Sequence, residues 1–198
     1  MPSGGFRIRW WWTLPALALA LLIAFLIILQ IDRPHHSLPV LGQVPSFVMA
    51  DQDGRPFGRD NLLGRFSVVD FFFTSCPGAC PIMGGNMIRV YQAFKGSGQV
   101  RCVSISVDPE RDSLAALRAY SRSWGVDDDG WVFLRAPLDS VALLCEKGFM
   151  MPAEGLPGGH TTRFALVDTA GRIRGYYDGL DSAAVALLER HLHQLINE

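Results

Sequence analysis

Two cysteines stand four residues apart in Phe71-Phe72-Phe73-Thr74-Ser75-Cys76-Pro77-Gly78-Ala79-Cys80-Pro81, where an apolar run breaks into a turn. If a helix begins at Ala79, both sulfurs fall on one side of a strand-to-helix corner. The positive end of the helix dipole lies there and favours thiolate. Two close thiolates bind a soft metal ion or oxidise to a disulfide, and the spacing suits either outcome. A purely structural bridge across so short a loop would remove little chain entropy.

Two thiolates leave a metal ion short of ligands, so a third donor is sought among five histidines, His35, His36, His160, His191 and His193. His35 and His36 fall in a proline-containing stretch and read as solvated. His191 and His193, two apart in a C-terminal helical pattern, point to different sides and read as surface residues. His160 ends the Gly- and Pro-rich loop Pro152–Gly159 and directly precedes a strand pattern, so a loop can carry its imidazole over a site without disturbing a sheet.

Other polar and sulfur-bearing residues have plainer readings. Met83, Met87, Met150 and Met151 fit core or loop packing. Asp108-Pro109-Glu110-Arg111-Asp112 reads as a turn and helix entry, with Asp112 or the following Ser113 available as the cap. Asp70 is the one polar residue in an otherwise buried run, so its carboxyl needs a partner or a raised pKa, and it is expected beneath the cysteines. Cys102 and Cys145 lie in apolar segments and read as small buried hydrophobes, with a bridge between them left open.

The elements that must position these groups follow from periodicity. Phe47–Ala50 and Arg55–Phe57 form a hairpin turned at Asp53-Gly54, with Pro56 pushing the second arm to an edge. Phe66–Phe73 and Val100–Val107 are buried strands flanking a helix at Met83–Phe94. A helix at Ser113–Trp124, a strand at Trp131–Leu134 and a short helix at Ser140–Lys147 follow. Strands Arg163–Val167 and Ile173–Tyr177 make a second hairpin, and a helix capped by Ser182 closes the chain. The pattern predicts an α/β fold, a mixed sheet with helices on both faces.

The chain has 198 residues, enough for one well-buried domain and an appendage. With 18 basic against 19 acidic residues and no Lys/Arg block, nothing favours nucleic-acid binding. Trp10–Ile31 carries no charge over 22 residues, a helix of about 33 Å that suffices for a bilayer core. Arg7 and Arg9 precede it, Trp10-Trp11-Trp12 occupy an interfacial position, and Ile28–Asp32 lacks a small-x-small cleavage site. The expected layout is a cytoplasmic segment 1–9, a single transmembrane anchor 10–31, a linker 32–45 and a folded domain 46–198 outside the cytoplasmic (inner) membrane, in the periplasm. In such a compartment thiols persist only if kept reduced or metal-bound.

Four motifs in order resemble the Sco/SenC family: Cys76-Pro77-x-x-Cys80-Pro81 followed by Met87, Ser104–Asp112, His160-Thr161-Thr162-Arg163, and Asp168 with Gly171–Gly179. Members are membrane-anchored copper chaperones linked to cytochrome c oxidase assembly. The resemblance covers residues 40 to 196. It implies a thioredoxin-like fold and a copper site made by Cys76, Cys80 and His160. Two thiolates and an imidazole suit Cu(I), whereas zinc wants a fourth ligand; Cu(II) would need a labile fourth donor. The implied client is the copper A centre of cytochrome c oxidase subunit II, with other periplasmic copper carriers as further partners. The rival reading is a membrane-tethered thiol-disulfide reductase that uses Cys76 and Cys80 as a redox pair and does not need His160.

Overall fold

The structure, a computed structural model, describes residues 13–31 and 37–198, with side chains described for 14–25 and 37–198. It divides into two units, 1–37 and 38–198. In the first, helix α1 runs Thr13–Ile31, and the side chains of 14–25 are exposed. Residues 1–9, the expected cytoplasmic segment, 10–12, which begin the expected anchor, and 32–36, the first part of the expected linker, lie outside the described residues. Among the described residues, no helix is long and apolar enough to cross a membrane.

The second unit is built on one eight-stranded sheet. The strands are β1 (Gly42–Gln43), β2 (Val48–Asp51), β3 (Pro56–Gly58), β4 (Phe66–Phe72), β5 (Val100–Ser106), β6 (Trp131–Arg135), β7 (Arg163–Val167) and β8 (Arg172–Asp178), in the spatial order β1-β8-β7-β4-β5-β6-β2-β3. β4, β5 and β6 are parallel neighbours, and every other pairing is antiparallel. Helices α2 (Ala79–Phe94) and α3 (Leu114–Ser123) make the two crossovers between the parallel strands. α4 (Leu138–Leu143) continues into a π-turn at Leu144–Gly148, and α5 (Ser182–Ile196) ends the chain. This is the expected mixed sheet, with the N-terminal hairpin β2–β3 at one edge and Pro56 on the outermost strand.

β4 alternates between two cores because side chains on a strand point to opposite faces. Val69 and Phe71 pack with Leu62, Val141, Cys145 and Phe149, whereas Val68 and Phe72 pack with Met83, Met87, Leu117, Trp131 and Leu188. α2 buries Met83, Met87, Val90 and Phe94 in the second core, at the spacing of a single helical stripe. Met83 and Met87 are thus core residues, and Met151 is buried while Met150 is half exposed. Cys102 and Cys145 are both free, buried thiols in different cores on opposite faces of the sheet, so they do not pair.

Two differences from the sequence reading concern edges. Residues 38–45, expected as linker, belong to the folded unit: Gly42 and Gln43 pair with Ile173 and Arg172 of β8, Val44 is fully buried, and the Arg174 guanidinium donates to the Leu38 carbonyl. The domain therefore starts at Leu38 and not at residue 46. Of the two candidate caps, Ser113 and not Asp112 caps α3: its Oγ accepts the Ala116 N–H at 3.2 Å. Likewise Asp181, not Ser182, caps α5.

Candidate metal centre

The site forms where β4 ends, at the carboxyl edge of the parallel strands, the usual crevice of an open α/β sheet. β4 stops at Phe72, a turn holds Cys76, and α2 starts at Ala79, four residues before the Met83 read from helical spacing and at the start that sets both sulfurs on one side of the corner. Cys76 lies in the turn before the helix; its N–H donates to the Phe73 carbonyl at 3.3 Å. Cys80 is in the first turn of α2 and is almost fully buried, whereas Cys76 is partly exposed.

The antiparallel pairing of β7 with β4 brings the third group. Val69 opposes Ala165 and Ser67 opposes Val167, so the chain entering β7 passes beside the end of β4. His160 lies three residues before β7, at the close of a loop folded back on itself. The Gly159 N–H donates to the Gly155 carbonyl at 2.9 Å, and the His160 N–H to the Pro157 carbonyl at 3.4 Å. A Cβ on Gly159 would stand 2.3 Å from the Glu154 carbonyl oxygen, so only glycine fits this approach.

The sulfurs of Cys76 and Cys80 and a ring nitrogen of His160 all lie within 4.8 Å of one another. His160 Nε2 is 3.4 Å from Cys80 Sγ, and Nδ1 is 3.0 Å from the Thr161 carbonyl oxygen. A carbonyl only accepts, so Nδ1 carries the proton and Nε2 presents its lone pair toward the thiols. The Phe73 ring meets the imidazole edge-on, with centroids 5.5 Å apart and planes at 88°. Metal–donor bonds of roughly 2.0–2.3 Å put two ligands of one ion at most about 4.5 Å apart, so these donors fit one ion after shifts of a few tenths of an ångström.

The two thiols differ in character. At Cys76 burial opposes ionisation, but hydrogen bonds from the Cys80 thiol and from the N–H groups of Cys80, Gly78 and Ala79 outweigh it and hold the pKa below the ordinary value. Burial, then hydrogen bonding to Cys76, raises the Cys80 pKa. Burial lowers the His160 pKa against the Thr161 and Phe71 carbonyls and favours the neutral, ligand-competent ring. Asp70 lies on the same sheet face as Cys80 and Cys102, 3% exposed, with Oδ1 lacking a partner. Burial pushes its carboxyl from 3.8 up to about 7, a Ser104 hydrogen bond opposing.

The residues singled out from sequence thus divide cleanly. Cys76, Cys80 and His160 converge. His191 accepts or donates at Nδ1 with the Tyr177 hydroxyl, 2.6 Å away, and His193 packs against Phe94 with ring planes tilted by 42°; both are far along α5 in sequence and neither joins the group. Sequence reasoning missed the Thr161 carbonyl and the Phe73 ring as supports of the imidazole. A backbone acceptor has no residue-type signature, and Phe73 looks like any other apolar strand residue.

A mixed, thioredoxin-like α/β domain with a Cys–Cys–His group at the end of its central strand defines the class. Residues 41–196 match the SCO1/SenC family. The chain belongs to that family. The SCO1 protein homolog of Bacillus subtilis is 29% identical over 150 residues, covering 73% of this chain and 78% of its own length. BsSco, a member of the Sco family of cytochrome c oxidase assembly proteins, was solved in work on a disulfide switch. It is 25% identical with a TM-score of 0.70, over 81% of this chain and 98% of that one. Copper-bound ScoI of Bradyrhizobium japonicum is 26% identical with a TM-score of 0.60, over 75% and 99%.

Proposed function

We propose that this chain is a membrane-tethered metallochaperone that binds copper through Cys76, Cys80 and His160 and serves assembly of the copper A centre in cytochrome c oxidase subunit II. The observation that carries this reading is the convergence of two thiols and one oriented imidazole nitrogen within 4.8 Å. The donor set is soft and offers three ligands, which suits Cu(I) as cargo better than a tetrahedral zinc ion. Copper bound to relatives of 25–30% identity supports the same assignment.

Delivery proceeds by ligand exchange. His160 sits on a loop of glycine and proline and is the ligand best placed to leave, while Cys80 is fixed by α2. A donor from the client, or from another periplasmic copper carrier, takes the vacated position. The uncharged run Trp10–Ile31, preceded by Arg7 and Arg9, supports a single-pass anchor in the inner membrane, N-terminus inside and folded domain in the periplasm. A tether confines the search for a membrane-bound client and raises its effective concentration.

The asymmetry of the thiols favours a second reading, reduction of the client's cysteines. A partly exposed, more acidic Cys76 would attack a client disulfide, and the buried Cys80 would then displace the reduced client thiol, leaving a Cys76–Cys80 disulfide. Substitution of His160 separates the two. The full-length protein, purified in detergent and reconstituted anaerobically with Cu(I), is expected to hold one copper per chain. His160→Ala is expected to lose at least about tenfold in affinity while still reducing a model disulfide. Wild-type protein that binds no copper, or a His160→Ala variant that supports full oxidase assembly, would sink the chaperone reading.

A further inference from the structure

Cys80 is placed by a helix, whereas Cys76 sits in a turn whose neighbouring residues face solvent. Ser75, Pro77 and Gly78 are exposed, and a Cβ on Gly78 would touch nothing within 4 Å. The fixed point of this turn is its first residue, Thr74, and what fixes Thr74 is remote in sequence. The Thr74 hydroxyl donates to Asp112 Oδ1 at 2.5 Å, and its N–H is shared between Oδ1 and Oδ2 at 3.3 and 3.2 Å.

Asp112 is fully buried and is free of the capping role, which Ser113 fills. Its second oxygen accepts the Ser106 hydroxyl from the end of β5 at 2.6 Å, and Ser106 Oγ accepts the Asp108 N–H at 3.2 Å. The Asp112 N–H in turn donates to the Asp108 carbonyl at 2.9 Å. One buried carboxylate therefore ties together the end of β5, the turn into α3 and the entry of the cysteine turn. Hydrogen bonds to a carboxylate are shorter and stronger than those between neutral groups.

We propose that Asp112, acting through Thr74 with Ser106 as its brace, is the positioning residue that holds Cys76 at metal-binding distance from Cys80 and His160. It touches neither sulfur. Its effect is on how far the Cys76 turn can wander, and hence on how long a metal stays bound and how readily the two sulfurs close into a disulfide. The metal arm of this inference rests on the copper-site reading above; the disulfide arm does not.

The test uses full-length protein in detergent with Thr74→Val, Thr74→Ser, Asp112→Asn and Ser113→Ala. Ser113→Ala loosens the same helix entry without touching the clamp. Two quantities are read: the rate of Cu(I) release to a bicinchoninate chelator, and the midpoint of the Cys76–Cys80 couple in a glutathione buffer. In that buffer two thiols and one glutathione disulfide give one protein disulfide and two glutathione thiols. Thermal unfolding is recorded beside both.

Thr74→Val and Asp112→Asn are expected to release Cu(I) at least about tenfold faster and to shift the midpoint. Thr74→Ser restores both toward wild type, and Ser113→Ala lowers only the melting temperature. Wild-type release and midpoint in a folded Thr74→Val would overturn the proposal, as would a Ser113→Ala effect of equal size. If Asp112→Asn does not fold, Thr74→Val against Thr74→Ser decides. If wild-type protein takes up no Cu(I), the copper-site reading falls, and the midpoint alone decides on the clamp.

Discussion

At the scale of single residues, the site is built from unequal partners. Cys76 is partly exposed and hydrogen-bonded toward thiolate, whereas Cys80 is buried and held as a thiol against His160 Nε2. The thiolate is the reactive species. Iodoacetamide at neutral pH is therefore expected to label Cys76 of the reduced, metal-free protein well before Cys80, read by peptide mass spectrometry; equal rates would contradict this asymmetry. The types of the three site residues were legible in the sequence, Cys76 and Cys80 from spacing and His160 from its loop and the family motifs. The Thr161 carbonyl and the Asp112–Thr74 bond were not, because a backbone oxygen has no letter of its own and a contact across 38 residues leaves no periodicity.

At the scale of elements, α2 carries Cys80 and, one turn further along the same side, must let Trp124 approach closely. Gly84 permits this: a Cβ there would stand 2.4 Å from Trp124 Cζ2. Gly84→Ala is expected to destabilise the fold by about 1–3 kcal/mol through overpacking. At neighbouring Gly85 nothing lies within 4 Å, so Gly85→Ala should instead gain up to about 1 kcal/mol from helix propensity. Urea titration of both variants checks the pair, and a loss at both positions would argue against the Trp124 contact. Most elements were readable because alternation and helical spacing are strong over seven or more residues, as in β4, β5 and α2. β1 was not. Gly42-Gln43 is too short to alternate and becomes a strand only because β8 offers an edge to pair with. The cap of α3 could not be settled from sequence for a related reason: Asp112 and Ser113 are both good caps, and Asp112 is taken by Thr74 on another loop.

At the scale of the whole molecule, Asp70 couples the site to global stability. Its carboxyl ionises near 3.8 in an unfolded chain and at about 7 in the fold. The unfolded state therefore holds fewer protons between those values, and stability falls as pH rises from about 4 to 7. The penalty, complete above pH 7, is on the order of 4 kcal/mol. Asp70→Asn is expected to flatten that slope in metal-free protein and to unfold at higher urea than wild type at pH 8; an unchanged slope would show that Asp70 is ionised throughout.

The separation of Cys102 and Cys145 onto opposite faces of the sheet has a consequence for oxidation of the whole chain. Four cysteines allow three ways of making two bridges, but Cys102 and Cys145 are barred from each other by the sheet between them. Of the pairings open to the unfolded chain, the native molecule brings Cys76 and Cys80 together, with their sulfurs within 4.8 Å. An oxidant acting on folded protein therefore meets this pair already assembled, and its disulfide returns to the starting dithiol on reduction without any reshuffling.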